Sequence, residues 1–413
     1  MDLLRNAVRA YAWGSRSVIP ELLGKPTPAA HPEAELWMGA HPGDPSAVES
    51  ADGSEYSLLD MVEADPANQL GDACVRRWGN RLPFLLKILA AEEPLSMQTH
   101  PTMEQAQAGY AREEEAGIAR DAGERNYPDP TAKPELVCAL TEFHVLAGFR
   151  DANRTVKFLR AIETPCLSGY TDLLAGQPNA DGLRALFTTW ITLPRRTIDT
   201  LLPEVLDACA THAEAGGEFA SECRTITELG HRHPSDAGVL AALLLNRIVL
   251  RAGEAIYLPP GNLHLYLHGT AVEILANSDN VLRCGLTPKH VDVPELLRVV
   301  NFTSGPTPVL RGQRADETDR RLVYVTEAAE FELSRLYWPS GDRQAAAVPV
   351  AGPRILVCTQ GEVRLRVNGE TRHDVRLPRG RSVWLPASDP AVTVWPTEDA
   401  GASQVFCASP GAL

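Results

Sequence analysis

The 413-residue sequence has no apolar run approaching the roughly 20 residues that a membrane-spanning helix needs, and its start, MDLLRNAVRAYAWG, lacks the apolar core of a signal peptide. None of its 8 cysteines lies in a C-x-x-C pair, so we expect reduced, mostly buried thiols rather than a disulfide framework. Basic side chains are outnumbered, 39 Lys and Arg against 53 Asp and Glu, and the net charge of −14 disfavours nucleic acid as a partner. We therefore predict a soluble, cytoplasmic protein that binds neither nucleic acid nor membrane.

Proline and glycine are abundant, at 32 and 31 residues, and they separate short runs rich in Val, Leu, Ile and aromatic residues. Such runs are typical of β-strands joined by turns. Examples are residues 82–90, 136–148, 247–259 and 269–284. In residues 151–242, by contrast, apolar side chains recur every three or four positions, as in GLRALFTTWITL, which predicts a block of helices inserted into a β framework. After Phe302 the sequence becomes polar and Pro/Gly-rich before strand-like patterns resume.

One short pattern occurs twice. GEAIYLPPGNLH, residues 253–264, has the spacing G-x5-P-x-G-x2-H, and GRSVWLP, residues 380–386, repeats its first half without the histidine. The first copy resembles the second signature motif of the cupins, which are small double-sheet β-barrels of the jelly-roll type. In that motif the glycines and proline open and turn a strand, so that the histidine points into the barrel.

The repetition implies a mainly β fold with two cupin-like jelly-roll barrels and an inserted α-helical domain. Residues 1–150 together with 243–302 are expected to form the catalytic cupin barrel. Residues 151–242 are expected to form the helical insert. Residues 303–413 are expected to form a C-terminal cupin-like barrel that lacks metal ligands.

Candidate metal ligands accompany the first motif. Gln98 and His100 stand at i and i+2, so on a strand they face the same way. Glu135 offers a carboxylate where a strand begins, and His264 adds a second imidazole. A histidine among apolar neighbours is more often structural than a ligand, so the spacing around His264 is what favours a metal site. Six other histidines lie outside any comparable motif, and we interpret them as surface, structural or loop residues: His41, His144, His231, His233, His268 and His290.

Longer stretches resemble one family. They read YAWGS at 11–15, ELWMGAHPGDPS at 35–46, LPFLLKILAAEEPLSMQTHP at 82–101, NYPDPTAKPELVCAL at 126–140, and the run from 253 to 290. In that order they resemble the type I mannose-6-phosphate isomerases, which are zinc-dependent aldose–ketose isomerases of the cupin superfamily. The resemblance implies interconversion of D-mannose 6-phosphate and D-fructose 6-phosphate through an enediol. It also implies one zinc ion per chain, with the ligands Gln98, His100, Glu135 and His264.

The same resemblance implies further active-site residues. Arg283 matches the residue usually assigned as catalytic, and Trp13 lies in the motif at the mouth of the pocket. Other active-site positions are matched by Lys87, Ser96, Lys133, Glu273, Asp279 and Lys289. Ala132 departs from the family, because many members have a histidine there. Any role of that histidine, such as helping to open the sugar ring, must be filled here by another group or by water.

The implied reaction moves a proton between the first two sugar carbons and places negative charge on adjacent oxygens. We expect zinc to polarise these oxygens, and Arg283, which stays charged, to stabilise the charge. The base is left open between Lys133, which would have to lose its proton, and the carboxylates Asp279 and Glu273. The phosphate is expected to be held by one hydroxyl and two point charges, those of Ser96, Lys87 and Lys289.

Two other functions are compatible with the motifs. A non-catalytic cupin could bind or store a sugar, but it would not need Arg283 and Lys133 beside a full ligand set. An isomerase or epimerase could act on another phosphosugar. A nucleotide-binding glycine loop is missing from the sequence, which disfavours the larger bifunctional isomerase–guanylyltransferases. The expected partner is thus a small phosphosugar bound by a monomer, although the sequence leaves an oligomer open. The acidic chain can bind this anion if its cations converge in the pocket.

Overall fold

Strands and helices occupy nearly equal shares of the computed structural model, about 31% and 30% of its residues. It describes residues 1–49, 53–314, 320–348, 350, 352–369, 374–399 and 401–411. The prediction of a mainly β protein is therefore wrong, and the fold is mixed, with antiparallel sheets. The sequence also predicts a helix from Thr102 to Ala119, and a helix forms there, with a capping box between Thr102 and Gln105. Shorter helices form elsewhere, one of them where Ser57 accepts the amide of Asp60.

The first 150 residues alternate short strands with short helices. The strands are β1 (Asp2–Arg5), β2 (Ala7–Arg9), β3 (Glu35–Met38), β4 (Ala47–Glu49), β5 (Glu55–Ser57), β6 (Phe84–Ala91), β7 (Met97–Thr99), β8 (Glu135–Ala139) and β9 (Phe143–Phe149). The helices are α1 (Val18–Leu22), α2 (Leu58–Ala64), α3 (Pro66–Leu70), α4 (Asp72–Trp78) and α5 (Met103–Glu115).

Helices then fill the stretch in which the apolar spacing predicted them. They are α6 (Ala152–Ala161), α7 (Ser168–Gly176), α8 (Ala180–Ile191), α9 (Arg195–Ala215), α10 (Ala220–Arg232) and α11 (Ala237–Ala242), with a 3-10 turn at Pro165–Leu167. Their apolar faces share one core, in which Phe187 and Trp190 of α8 are fully buried together with Leu265 and Leu282 from the strands that follow. The helical block is therefore packed directly on the strands that carry the site described below.

The remainder of the chain is largely strand. The elements are β10 (Leu245–Leu250), β11 (Glu254–Leu258), β12 (His264–Ala276), β13 (Leu282–Gly285), α12 (Val293–Val299), β14 (Leu310–Arg311), β15 (Gln313–Arg314), β16 (Leu322–Tyr324), β17 (Glu332–Trp338), β18 (Ala346–Val348), β19 (Arg354–Gln360), β20 (Glu362–Val367), β21 (Val375–Pro378), β22 (Ser382–Leu385), β23 (Val392–Pro396) and β24 (Ser403–Ser409). No helix in these described ranges is long and apolar enough to cross a membrane.

The long strand β12 organises the eleven-stranded sheet, whose main path runs β14-β11-β8-β12-β6-β3-β2. Its first residues pair with β7 and β9, which places His264 opposite Gln98. Its second half lies between β6 and β8, which places Glu273 opposite Lys87. Because residues from distant parts of the sequence meet on this one strand, β12 positions much of the candidate site.

A nine-stranded sheet joins the two ends of the chain, in the order β15-β16-β17-β24-β19-β22-β1-β4-β5. Strand β1 pairs with β22, with Leu3 opposite Val383. Apolar side chains of this sheet and of the eleven-stranded sheet form a common core, to which Ile88, Trp384 and Phe406 contribute. A separate four-stranded sheet, β18-β23-β20-β21, completes the described β structure. Strands β1, β4 and β5 thus belong to the same sheet as strands from the C-terminal part of the chain, whereas β2 and β3 do not.

Candidate metal centre and active site

His100, Glu135 and His264 come together as the sequence predicted. His100 follows β7, Glu135 begins β8 and His264 begins β12. One ligand atom from each lies within 4.8 Å of the others, and all three residues are buried, with at most 2% of their surface exposed. Glu135 is 3.3 Å from the Nε2 atoms of both histidines, through one oxygen each. These three residues are called the triad below.

Hydrogen bonds fix how the two imidazoles face the carboxylate. Nδ1 of His100 lies 2.8 Å from the carbonyl oxygen of Asn280, and Nδ1 of His264 lies 3.0 Å from that of Asn262. Because a carbonyl only accepts hydrogen bonds, both Nδ1 atoms carry the proton and both Nε2 lone pairs face Glu135. Metal-binding histidines are oriented by such carbonyl partners.

The triad has the properties expected of a cation site. Nε2 of both histidines and Oε2 of Glu135 are buried, and none of the three atoms has a hydrogen-bond partner among the described residues. Leaving such atoms unpaired in a folded interior costs about 1–3 kcal/mol each, and a bound cation would satisfy all three together. Two imidazoles and one carboxylate are ligands that zinc takes at catalytic sites. The donor set therefore fits a divalent transition metal.

The protonation states also suit a metal. Burial, which disfavours the imidazolium, lowers the pKa of His100 to about 4. Burial alone would raise the pKa of Glu135. The neighbouring His100 and Lys133 outweigh this effect and hold the pKa of that carboxyl well below its usual range. A neutral imidazole and an ionised carboxylate are the forms that bind a cation.

Gln98 and Lys133 both lie beside the triad. Gln98, half-buried on β7, stands opposite His264 on one side and Arg283 of β13 on the other. Lys133 precedes β8, and its Nζ is 3.3 Å from Oε1 of Glu135. The register thus places Gln98 next to His264, and its role as a fourth ligand remains a prediction.

Lys87 is buried between two carboxylates. Its Nζ lies 3.5 Å from Oε1 of Glu35 and 3.3 Å from Oε2 of Glu273. The indole of Trp37 donates to Glu35, and the hydroxyl of Tyr266 donates to Glu273, both at 2.8 Å. Burial opposes the charged form of Lys87, but the two carboxylates outweigh it and raise the lysine pKa. Burial raises the pKa of Glu273. The sequence reasoning missed Glu35, although it lies in the ELWMGAHPGDPS motif.

Asp279 has a partner that the sequence reasoning placed outside the site. Nε2 of His41 lies 3.2 Å from Oδ1 of Asp279. His41 does lie in a loop, as expected, but it is buried, whereas the side chain of Asp279 is 48% exposed. The only signal in the sequence was that His41 belongs to a family-like motif.

Asn280 connects the triad to the loop before β8, and the sequence reasoning did not single it out. Its side-chain amide donates to the carbonyl oxygens of Asp129 and Thr131, both at 2.7 Å. Its own carbonyl accepts the Nδ1 proton of His100. The hydroxyl of Ser278 donates to the Asp129 carboxylate at 2.9 Å. This fully buried asparagine therefore ties the orientation of one candidate ligand to the turn that leads to Lys133 and Glu135.

Arg283 lies on β13 opposite Gln98, and Lys289 follows that strand. Neither side chain has an ion pair within the described ranges of the chain. Burial lowers the pKa of both, and the charge of Arg283 lowers that of Lys289 further. Neighbouring cations without counter-charges favour binding of an anion.

Two further predicted residues lie in half-buried positions. Ser96 precedes β7, two residues before Gln98, and Trp13 stacks on Tyr11 with ring centroids 5.6 Å apart. The backbone carbonyl of Trp13 accepts the amides of Glu92 and Glu93, at the end of β6. The roles expected of Ser96 and Trp13 remain predictions.

A cavity of about 530 Å³ is lined mainly by apolar residues and by the segment 303–308, and its lining also includes Asn262, whose carbonyl orients His264. Tyr257 and Glu327 are the titratable residues in its lining, and it includes none of the candidate site residues. Because catalysis of proton transfer needs several ionisable groups, this cavity is a poorer candidate than the triad and its surroundings.

Known proteins with related sequences and structures share one activity. Residues 1–152 match the family described as phosphomannose isomerase type I, catalytic domain. The chain is 37% identical over 396 residues to mannose-6-phosphate isomerase of Escherichia coli, with 95% of this chain and 97% of the relative covered. The corresponding enzyme of Homo sapiens is 30% identical over 406 residues, with 94% and 93% covered.

Solved structures agree. A lysine-to-alanine variant of phosphomannose isomerase from Salmonella typhimurium superposes with a TM-score of 0.87 at 34% identity, covering 100% of this chain and 99% of that one. A zinc-bound crystal structure of mannose 6-phosphate isomerase gives a TM-score of 0.86 at 34% identity, again covering 100% and 99%.

Proposed function

The chain belongs to the type I mannose-6-phosphate isomerase family, and from this we propose that Gln98, His100, Glu135 and His264 hold one zinc ion per chain. It acts as a zinc-dependent isomerase that interconverts D-mannose 6-phosphate and D-fructose 6-phosphate. The observation that carries this function is the buried triad, whose three inward atoms have no hydrogen-bond partner in the described part of the chain. A bound zinc ion supplies Lewis-acid polarisation of substrate oxygens.

We propose Asp279 as the proton acceptor and Lys133 as a proton donor. Asp279 is ionised at neutral pH, because its contact with His41 and the charges of Lys133 and Arg120 outweigh burial and lower its pKa. Its half-exposed side chain can reach a substrate. Glu273 is less suited, because its two oxygens already face Tyr266 and Lys87. An isotope-exchange experiment separates these roles: Asp279→Asn is expected to abolish exchange of the transferred proton with solvent.

The remaining roles follow from charge balance. Arg283 and Lys289 are proposed to bind the phosphate and to stabilise the charge that develops during enolisation, with Ser96 adding a hydroxyl. The charge of Lys87 is offset by Glu35 and Glu273, so we assign Lys87 and Glu273 to the sugar hydroxyls rather than to the phosphate. Trp13 is proposed to pack against the sugar at the mouth of the pocket.

We also propose the architecture of two cupin-like barrels with an inserted helical domain. The proposed units are residues 1–150 with 243–302 for the catalytic barrel, 151–242 for the insert, and 303–413 for a second barrel without metal ligands. The repeated glycine-strand-proline frame supports this division, since β11 and β22 are the strands of its two copies. We further propose that the protein acts as a cytoplasmic monomer.

Activity on mannose 6-phosphate tests the function. Purified protein is assayed by coupling fructose 6-phosphate formation to a detectable reaction, then treated with a chelator and assayed again before and after zinc is added back. We expect turnover that is lost on chelation and restored by zinc. Full turnover in protein shown to contain no metal, or zinc-dependent turnover only on a different phosphosugar, would contradict the proposal.

A further inference from the structure

His41 lies behind Asp279, and both partners are held in place. The Nδ1 atom of His41 accepts the backbone amide of Gly43 at 3.0 Å, so the ring proton is on Nε2, which faces Oδ1 of Asp279 at 3.2 Å. The edge of Trp37 packs against the imidazole, with centroids 4.9 Å apart. On the other side, the backbone amide of Asp279 donates to the carboxylate of Asp129 at 2.8 Å.

The burial of the pair distinguishes it from an ordinary surface contact. His41 is 4% exposed, and a side chain at residue 43 would come within 3.2 Å of its ring, so glycine there preserves the packing. Three cationic or protonatable groups from separate loops act on Asp279, namely His41 after β3, Arg120 after α5 and Lys133 before β8. Of these, His41 has the largest effect, and it is the one whose ring nitrogen lies against the carboxylate, at 3.2 Å.

We propose that His41 is a positioning residue, which holds the Asp279 carboxylate ionised and aimed at the substrate without touching the substrate itself. This inference rests on the proposed function, in which Asp279 accepts a proton. A fixed N–H donor behind a carboxylate removes rotational freedom and favours its charged form. Because Nδ1 is occupied by the Gly43 amide, the ring acts as a donor toward Asp279 and does not take the proton away.

Two substitutions separate the donor from the packing. His41→Phe keeps a flat ring against Trp37 but removes the N–H group, whereas His41→Gln restores an N–H donor near the position of Nε2. We expect kcat of His41→Phe to fall about tenfold with KM for mannose 6-phosphate unchanged, and His41→Gln to recover most of the loss.

The pH profile gives the sharper readout. The ionised carboxylate is the active form, so activity is lost as the pH falls through the pKa of Asp279. Removing the donor raises that pKa, and the acid limb of kcat/KM should move up by about one pH unit in His41→Phe. His41→Gln should return the limb toward its original position. Bound zinc is measured at each pH so that loss of metal is not mistaken for the shift.

A matched control is available on the outer side of the sheet. His144 also faces a carboxylate, with Nε2 2.8 Å from Oε1 of Glu142, but it lies outside the site. His144→Phe should leave the profile unchanged. If the wild type is active but the acid limb of His41→Phe is unshifted, the inference about His41 is overturned and the proposed function stands. The same holds if His41→Gln is as impaired as His41→Phe. A wild type inactive on mannose 6-phosphate would overturn the proposed function as well.

Discussion

The same backbone frame occurs at residues 253–264 and 380–391 but supports different chemistry. Each copy opens with a glycine at positive φ, 87° for Gly253 and 84° for Gly380, and continues into a largely buried strand, β11 or β22. The first ends at His264, where β12 begins beside Glu135. The corresponding position of the second, just before β23, is Ala391.

The turn of the second copy is filled by a structural side chain. Arg354 is fully buried, and its guanidinium donates to the backbone carbonyl of Asp389 at 2.9 Å and, at the longer distance of 3.4 Å, to that of Pro386. In the first copy the corresponding turn instead contributes the carbonyl of Asn262, which orients the imidazole of His264. The repeated frame thus positions a turn. The residues in that turn and in the neighbouring strands determine whether it belongs to a binding site or only stabilises the fold.

The largest effect is expected at Arg283. Arg283→Ala removes the fixed charge that we propose stabilises the developing negative charge of the transition state, and kcat should fall about 100-fold to 1000-fold. Zinc content should stay unchanged, because Arg283 is not among the proposed ligands. Steady-state kinetics measure kcat, and metal analysis measures the zinc content. Loss of zinc in this variant would make Arg283 part of the metal site and would weaken the contrast between a catalytic and a structural arginine.

Arg354→Ala tests the structural half of the contrast. The substitution leaves buried carbonyls without their donor and opens a cavity, so the free energy of unfolding should fall by about 3 kcal/mol, measured by urea denaturation. Turnover and zinc content at low temperature should match the wild type. The exposed Arg376→Ala is the control and should change stability by less than about 0.5 kcal/mol. Loss of zinc on replacing Arg354 would show that the second frame serves the site.

Asn280→Ala should weaken zinc binding by about 10-fold to 100-fold, because it frees the loop whose carbonyl orients His100. Asn277→Ala is the matched control: it is a buried asparagine three residues away, whose amide donates to the carbonyl of Leu82 instead. Competition with a chelator of known affinity measures both. Equal zinc affinity in the two variants would show that Asn280 contributes to packing and does not help to orient His100.

The smallest effect is expected when a histidine replaces Ala391, the residue of the second frame that corresponds to His264. Ala391→His completes the spacing G-x5-P-x4-H but adds neither a carboxylate nor a second imidazole nearby. Zinc content should therefore remain at one per chain, and activity should not change. A second tightly bound zinc in this variant would show that the frame alone is sufficient for a metal site.

Sequence patterns predicted the parts of the site that depend on short-range spacing. His100, Glu135 and His264 were found because strand periodicity and one motif fix which way they face, and the structure brings them within 4.8 Å. His41 and Asn280 were missed because their roles arise from contacts with residues far away in the chain: Asp279 is 238 positions from His41, and His100 is 180 positions from Asn280. Local pattern carries no information about such pairs.

The fold was predicted less completely. The helical stretch from α6 to α11 has an apolar spacing that predicts it directly, but the short helices α1 to α4 lie among residues with no clear period. The pairing of β1 with β22 joins residues about 380 positions apart, and nothing in either strand specifies its partner. The helix content was underestimated because the short helices α1 to α4 were not anticipated.

Zinc content and turnover of His264→Ala, measured on the same sample, test the central claim most directly. His268→Ala is the control, since it replaces an exposed histidine on the same strand. The account predicts one zinc per chain and full turnover in the wild type and in His268→Ala, and neither bound zinc nor turnover in His264→Ala. A His264→Ala variant that retains a full complement of zinc and isomerises mannose 6-phosphate at the wild-type rate would contradict it.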